Sequence, residues 1–494
     1  MRRERKWALV SAAVMMLSSM TTEPSAVFAA GGTSSLGLTS AVAANVNAQK
    51  FTHKEWTGTD YTDLNGKAVT GEDVFGINRE DHTVTVIPFQ DTDTAADAVW
   101  DYNARENSVY FQKLTGDDEK WELTVVQNQS QAESYLKAGF MNGNYAARAE
   151  DGWKSVTLPS SWTCQGFDFP IYANVVMPWQ SAYDYVTVPE AATNYNPVGL
   201  YRKKFTVSSA MKADNRRIYI QFDGVESAYY VYVNGKEVGY SEDTFSPHRF
   251  DITDYLIDGE NTLAVKVHKF CDGTWFEGQD MIYDGGIFRD VFLTSAPLVQ
   301  IYDYTVQTDL DQDYVNANLH LSVDIRNLST KVQSGWTIDV EALDESGKNI
   351  LSNAVIPVDS IGSNSIQGFT FSQSVTAPKL WSAEVPNLYA LVLTLRDGNG
   401  IAVETTSMQL GFREVSFTST QVDSSYRVTT SSWEPIRING KHLRLKGVNR
   451  HDTDPFYGKT STMECLEEDI RLMQENNINS IRTSHYSNDS YLYW

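Results

Sequence analysis

Residues 230–238, Y-V-Y-V-N-G-K-E-V, decide the fold class of the first half of the chain. Two β-prone runs flank the pair Asn234-Gly235, and an Asn-Gly pair in that position is a strong signal for a tight antiparallel hairpin. Alternating apolar residues on either side, at 218–222 and 263–267, predict further strands. Because helical spacing is almost absent between residues 51 and 297, we predict one large antiparallel sandwich over that range.

A second all-β unit is predicted over residues 298–415. Apolar and polar residues alternate at 319–325 and 338–342, and strands are also predicted at 389–395 and 404–410. Regular short strands in a unit of about 100 residues are typical of an immunoglobulin-like sandwich.

The pattern changes in residues 416–494, where a strand at 442–448 is followed by a helix and a strand at 480–483. We predict that the helix starts at Ser461, with Glu464 completing a capping box. Strand, helix and strand in this order form a βαβ unit with parallel strands. The chain is therefore predicted to be multidomain and mainly β, and to end in the opening of an α/β domain.

Charge and cysteine content exclude several functions. The chain of 494 residues carries 40 Lys and Arg against 63 Asp and Glu, for a formal net charge of −23. Nucleic acid and anionic lipid both require a clustered cationic surface, so neither is expected as a partner. The three cysteines, Cys164, Cys271 and Cys465, are too few and too scattered for a disulfide scaffold or a cysteine zinc site.

The N-terminus predicts export. A basic start precedes an apolar run at 7–20, and small residues surround a cleavage point after Ala29, so residues 1–29 are interpreted as a signal peptide. Residues 30–50 are rich in small and polar residues, which predicts a flexible leader. We expect a secreted or extracellular protein that meets a membrane only through its signal peptide during export.

Polar residues at the ends of the two parallel strands are the candidate site. Arg450-His451-Asp452 follows the first strand, and the second ends in Arg482 and His485. Ligands of parallel α/β folds bind at the carboxyl ends of strands, so these side chains are placed to line a pocket for a hydroxyl-rich substrate. The alternative is that they only cap loops and satisfy backbone groups.

Several motifs, in order along the chain, resemble glycoside hydrolase family 2 and, within it, bacterial β-galactosidases. The motifs are P-S-S-W-T-C-Q-G-F-D-F-P-I-Y-A-N-V (159–175), F-D-G-V-E-S-A (222–228), V-G-Y-S-E-D-T (238–244), G-G-I-F-R-D-V (285–291), L-W-S-A-E-V-P-N-L-Y (380–389), G-F-R (411–413), G-V-N-R-H-D-T-D-P (447–455) and N-S-I-R-T-S-H-Y (479–486). The resemblance implies a jelly-roll sugar-binding domain at 51–297, an immunoglobulin-like domain at 298–415 and the start of a (β/α)8 TIM barrel at 416–494.

The resemblance also implies roles for single residues. His451 and His485 would line the galactosyl subsite, and Arg482 would lie beneath the nucleophile. Asn174 and Asp243 would bind sugar hydroxyls from the jelly roll, and Asp243 would also approach a sodium ion. Taken alone, Asn174 and Asp243 would equally suit ordinary loop and turn positions.

The activity implied by the resemblance is hydrolysis of terminal non-reducing β-D-galactosides with retention. A retaining glycosidase needs two carboxylates about 5–5.5 Å apart. By resemblance, the acid/base, the nucleophile Glu and the magnesium ligands are all expected beyond Trp494, so no catalytic residue is assigned and this chain alone is expected to be inactive.

Two alternatives remain open at this point. The chain could be a non-catalytic, lectin-like carbohydrate-binding protein, or a family 2 hydrolase of other specificity, such as a β-glucuronidase or a β-mannosidase. The oligomeric state, including a homo-oligomer, is likewise not determined by the sequence.

Overall fold

The computed structural model describes residues 75–182, 186, 191–417 and 435–494, together with the paired strands Tyr61–Thr62 and Ala68–Val69. The predicted signal peptide and leader lie outside the described residues. Among the described residues, no helix is long and apolar enough to cross a bilayer. Strands predominate in the described chain, which confirms the predicted mainly-β class.

The first sandwich consists of two antiparallel sheets. The larger contains, in spatial order, Gly76–Ile77, Lys236–Ser241, Ala228–Val233, Glu260–His268, Val198–Thr206, Lys120–Val126 and Lys154–Thr157. The smaller contains His248–Asp251, Arg217–Phe222, Val291–Ala296 and Phe111–Lys113. Short pairs join Val225–Glu226 to Gly286–Ile287 and Ile171–Ala173 to Met281–Tyr283.

The predicted hairpin at Asn234-Gly235 is confirmed. Both residues have positive φ angles, 53° and 80°, which two-residue turns of this kind require and which Asn and Gly tolerate best. The turn pairs Val233 with Lys236 and sets the register of the strands on either side. Alternate residues such as Val231 then point into an apolar core between the two sheets.

Two nine-residue helices in the first 297 residues correct the prediction that this range is almost free of helix. Asp91 caps Thr92–Trp100 and Asn128 caps Gln129–Lys137, each by accepting a hydrogen bond from a first-turn backbone N–H. The apolar face of Thr92–Trp100 is built mainly from alanine, which weakens its periodic signal. That helix packs on Ala390 and Val392 of the second sandwich.

The second sandwich has one three-stranded and one four-stranded antiparallel sheet. Their strands in spatial order are Val299–Leu310, Ala317–Asn327 and Ser365–Val375, and then Val355–Ile361, Gln333–Leu343, Tyr389–Arg396 and Ala402–Leu410. Residues that alternate along the strands fill one core, as the sequence pattern predicts.

The C-terminal segment forms the predicted parallel strand–helix–strand unit from Gly447–Arg450, Met463–Glu475 and Ser480–Thr483. The strand predicted at 442–448 is wrong in extent. Lys441–His442 instead pairs with Arg437–Ile438, which in turn pairs with Val415–Ser416, and the chain then changes partners before Gly447–Arg450 begins.

The predicted helix start is also wrong by one residue. The hydroxyl of Ser461 donates to Asp452 at 2.6 Å, so Thr462 is the N-cap and accepts from the Cys465 N–H at 3.2 Å. The capping box with Glu464 is therefore not formed. Three further helices of four residues occur at Ser209–Lys212, Thr274–Glu277 and Ser490–Tyr493.

Candidate carbohydrate-binding site

His451 and His485 lie together, at the carboxyl ends of the two parallel strands. Their ring centroids are 5.5 Å apart and the planes are nearly perpendicular, at 85°. Burial lowers the pKa of His451, and the neighbouring His485 lowers it further. The His451 imidazole is therefore held neutral near pH 7, which suits exchange of hydrogen bonds with uncharged hydroxyls.

Tyr486 fixes this histidine pair against the first sandwich. Its ring stacks on Phe245 with a centroid distance of 4.2 Å and an angle of 7°, and its hydroxyl lies 3.4 Å from Nδ1 of His451. Ser487 adds a hydrogen bond from its hydroxyl to the Phe245 carbonyl, at 2.9 Å. The loop after the second parallel strand is thus held by the loop that carries Phe245.

Asn174 belongs to a polar group on the rim of the first sandwich. The Tyr172 hydroxyl donates to Asp280 at 2.6 Å, and the Asn174 side chain also hydrogen-bonds to Tyr172. Asp280 is close enough to His451 to act on its pKa in the raising direction, against the stronger effect of burial. The strands Ile171–Ala173 and Met281–Tyr283, which adjoin this group, pack in one apolar cluster with Tyr486, so Asn174 lies on the part of the first sandwich that faces the loop carrying His485.

Two exposed rings lie close in sequence to Asn174 and Asp280. Tyr172 is 63% exposed, and Phe276, on the connection that also carries Asp280, is 84% exposed. Flat apolar rings beside hydroxyl-binding polar groups are what a sugar site needs, because sugars present both apolar faces and hydroxyl edges.

The two arginines at the strand ends have different surroundings. Arg482 is exposed, and its guanidinium donates a long hydrogen bond to the Asn449 side chain on the paired strand, at 3.5 Å. Arg450 is buried, where it forms ion pairs with Asp452 and Asp469, each at 2.8 Å. The loop-capping interpretation therefore holds for Arg450, whereas Arg482 is left accessible.

Asp243, unlike the other predicted site residues, lies beside residues that the sequence analysis did not assign to the site. It has a φ of 80°, accepts a hydrogen bond from the Phe245 N–H at 3.2 Å, and lies beside His82 and His248. Sodium prefers hard oxygen ligands, whereas imidazole nitrogens suit borderline transition metals. The neighbours of Asp243 in the described chain therefore do not fit the sodium ion that the resemblance implies.

Sequence reasoning missed Tyr172, Asp280 and His82. Tyr172 lies within the motif at 159–175 but was not distinguished from its neighbours, and its exposure was the missing information. Asp280 and His82 carry no sequence signal of their own, because contacts distant in sequence bring them to their partners.

Three family models match successive parts of the chain. The model described as the sugar binding domain of glycosyl hydrolases family 2 matches residues 118–297, the model described as glycosyl hydrolases family 2 matches 299–413, and that family's TIM barrel domain matches 429–494.

Curated relatives with high similarity are bacterial β-galactosidases. The protein from Priestia megaterium is 38% identical over 423 residues, or 85% of this chain, and that from Clostridium acetobutylicum is 37% identical over 384 residues, or 77% of this chain. The chain spans 38% of the length of each of these two relatives.

Solved structures share the fold at lower identity. The β-glucuronidase of Bacteroides uniformis has a TM-score of 0.60 at 22% identity, covering 77% of this chain and 40% of its own. A β-glycosidase from Bacteroides vulgatus has a TM-score of 0.56 at 24% identity, covering 78% of this chain and 42% of its own.

Proposed function

Because the chain belongs to glycoside hydrolase family 2, we propose that the protein hydrolyses terminal non-reducing β-D-galactosides with retention of configuration. The observation that carries the proposal is the pairing of His451 with His485 beside Tyr486, whose ring packs in one apolar cluster with the strands that adjoin the Tyr172–Asp280 pair. The named activity of the curated relatives, at 38% identity for the first of them, supports galactose over other sugars.

The residues of this chain are proposed to bind and orient the sugar. The neutral imidazole of His451 donates or accepts hydrogen bonds, Asn174 offers an amide, and Asp280 accepts from a hydroxyl. The exposed rings of Tyr172 and Phe276 supply apolar contact to a sugar face. We assign no catalytic carboxylate and no magnesium ligand to these residues, so their contribution is to substrate affinity and position.

The test is a substrate panel on the purified full-length gene product. Nitrophenyl β-D-galactoside, β-D-glucuronide and β-D-mannoside are compared by kcat/KM, with His485→Ala as the site variant. We expect the galactoside to be preferred and His485→Ala to lower its kcat/KM at least about tenfold, the loss corresponding to about 1.4 kcal/mol of transition-state binding.

A control and two contrary outcomes complete the panel. His320→Ala, which removes an exposed histidine of the second sandwich, is expected to leave kcat/KM unchanged. Preference for the glucuronide or the mannoside would overturn the galactose assignment. Galactose binding without turnover of any of the three substrates would favour the lectin-like alternative.

A further inference from the structure

His82, Asp243 and His248 meet at one edge of the first sandwich. One nitrogen from each imidazole and a carboxylate oxygen of Asp243 all lie within 4.8 Å of one another. The two rings approach with centroids 5.4 Å apart. Two imidazoles and a carboxylate are a common ligand set for divalent transition metals.

Backbone pairing holds the three residues in place. Gly76–Ile77 forms the edge of the larger sheet by pairing with Tyr240 and Ser241. A few residues later the Glu80 N–H donates to the Arg249 carbonyl on the edge strand of the smaller sheet, at 2.8 Å. The chain therefore crosses between the edges of the two sheets and carries His82 to the loop that joins them. Asp243 lies on that loop, and His248 begins the strand that follows it.

The two ring nitrogens of His248 have different surroundings. The residue is 2% exposed, and its Nδ1 lies 3.2 Å from the Tyr229 hydroxyl. Its other nitrogen, Nε2, is buried and has no hydrogen-bond partner. A buried polar atom without a partner costs about 1–3 kcal/mol, so this arrangement requires an explanation.

We propose that His82, Asp243 and His248 bind a single divalent transition-metal ion, with Zn²⁺ as the best match. The Tyr229 hydroxyl would accept the proton of Nδ1 and so direct the lone pair of Nε2 at the metal, as partners of metal-bound imidazoles commonly do. His82 is exposed, which opens the site to solvent and leaves a fourth position for water.

The required movement is small. Ligand atoms of a tetrahedral zinc site with bonds of about 2.0–2.2 Å lie about 3.3 Å apart, so the group must contract by about 1.5 Å or less. His248 is buried whereas His82 is exposed, so the movement would come from the His82 side chain. The Phe245 N–H donates to an Asp243 carboxylate oxygen at 3.2 Å, which restrains the orientation of that group.

The charges around the group are mixed. The positive charge of Arg79 disfavours a bound cation. Its guanidinium donates to the Ser241 hydroxyl at 3.1 Å, and the carboxylates of Asp243 and Asp81 offset its charge. Burial lowers the pKa of His82 and of His248, with Arg79 as the second cause for each. Both rings therefore keep a nitrogen lone pair available near pH 7.

The test is zinc titration of the untagged 494-residue chain against a chromophoric chelator, with Co²⁺ absorption as a spectroscopic readout. We expect one competing site per chain and a visible Co²⁺ band. His82→Ala and Asp243→Asn should each weaken zinc affinity more than about tenfold. Even the loss of a residue that only hydrogen-bonds to a metal ligand lowers metal affinity about 10–100-fold. Tyr229→Phe, which keeps the ring, should weaken it about tenfold.

His320→Ala is the matched control, since His320 also lies beside a carboxylate, 3.1 Å from Asp309, but on the second sandwich. It should leave zinc affinity unchanged. Zinc should also raise the melting temperature of the wild type more than that of His82→Ala, because a ligand stabilises only the state that binds it. Absence of zinc binding, or binding that His82→Ala and Asp243→Asn both retain, would overturn the proposal whatever the substrate of the protein is.

Discussion

At the scale of single residues, burial and partners decide which of two identical side chains is available for binding. His451 and His485 face each other at the rim, whereas His248 is enclosed with one nitrogen unpaired. Arg482 is accessible, whereas Arg450 is fully engaged by carboxylates. The sequence names both arginines as candidates and does not single out His248, and only contacts made across the chain separate the accessible side chains from the enclosed ones.

Glu404 offers a test of buried charge at the same scale. It is fully buried between the two sandwiches, and burial raises its pKa to about 7, while the Ile301 N–H, which donates to it at 2.6 Å, acts in the opposite direction. A raised pKa in the folded state means that stability is present below about pH 4.5 and is lost as the pH rises towards 7.

We therefore expect Glu404→Gln to lose less stability than the wild type between pH 4.5 and 7. The gap in melting temperature should widen with pH, by about 2–4 °C for each kcal/mol, and calorimetry measures it. Glu384→Gln, the same change at an exposed position of the second sandwich, should follow the wild-type curve. Parallel curves for Glu404→Gln and wild type would contradict the assigned ionisation.

At the scale of elements, local sequence signals predicted the hairpin and the final strand correctly. They failed for elements whose contact partners are distant in the sequence. The Asn234-Gly235 turn and Ser480–Thr483 follow from nearby residues. Thr92–Trp100 exists because the second sandwich covers its alanine face, and the Met463–Glu475 helix starts late because Asp452 takes the Ser461 hydroxyl.

Gly285 shows how one residue permits a connection between elements. Its φ is 84°, and a Cβ there would come within 2.3 Å of the buried Trp162 ring. Gly347 has nearly the same φ, 81°, with nothing within 4 Å. We expect Gly347→Ala to cost about 1–2 kcal/mol from backbone strain alone. Gly285→Ala should cost about 1–3 kcal/mol more from overpacking, measured by calorimetry. Equal losses would show that the Trp162 contact carries no constraint.

At the scale of the whole molecule, the C-terminal segment is joined to the first sandwich by buried charge. Lys459 and Glu226 form an ion pair at 2.8 Å in which the side chains are 1% and 2% exposed. Glu226 also accepts hydrogen bonds from the Asp284 and Gly285 N–H groups. The segment between the two parallel strands is therefore held against the first sandwich.

Lys459→Met should destabilise this junction by about 3–5 kcal/mol, because it leaves the Glu226 carboxylate buried without its partner. Limited proteolysis should then release fragments of residues 435–494 faster than in the wild type. Lys204→Met, which breaks a pair whose side chains are 57% and 58% exposed, should cost about 0–1 kcal/mol. The double variant Glu226→Gln/Lys459→Met should recover part of the loss, and failure to do so would count against the ion pair as the cause.

The sequence alone determined the mainly-β class, the two sandwiches, the parallel strand–helix–strand unit and the candidate histidines, because alternation, turn residues and ordered motifs are local properties. Only the tertiary structure decided that the strands next to Asn174 and Asp280 pack with Tyr486 beside His451, and that Asp243 lies with His82 and His248. His82 and Asp243 are 161 positions apart in the chain. No local sequence pattern predicts this contact. It forms only because the segment after Gly76–Ile77 passes from the edge of one sheet to the edge of the other.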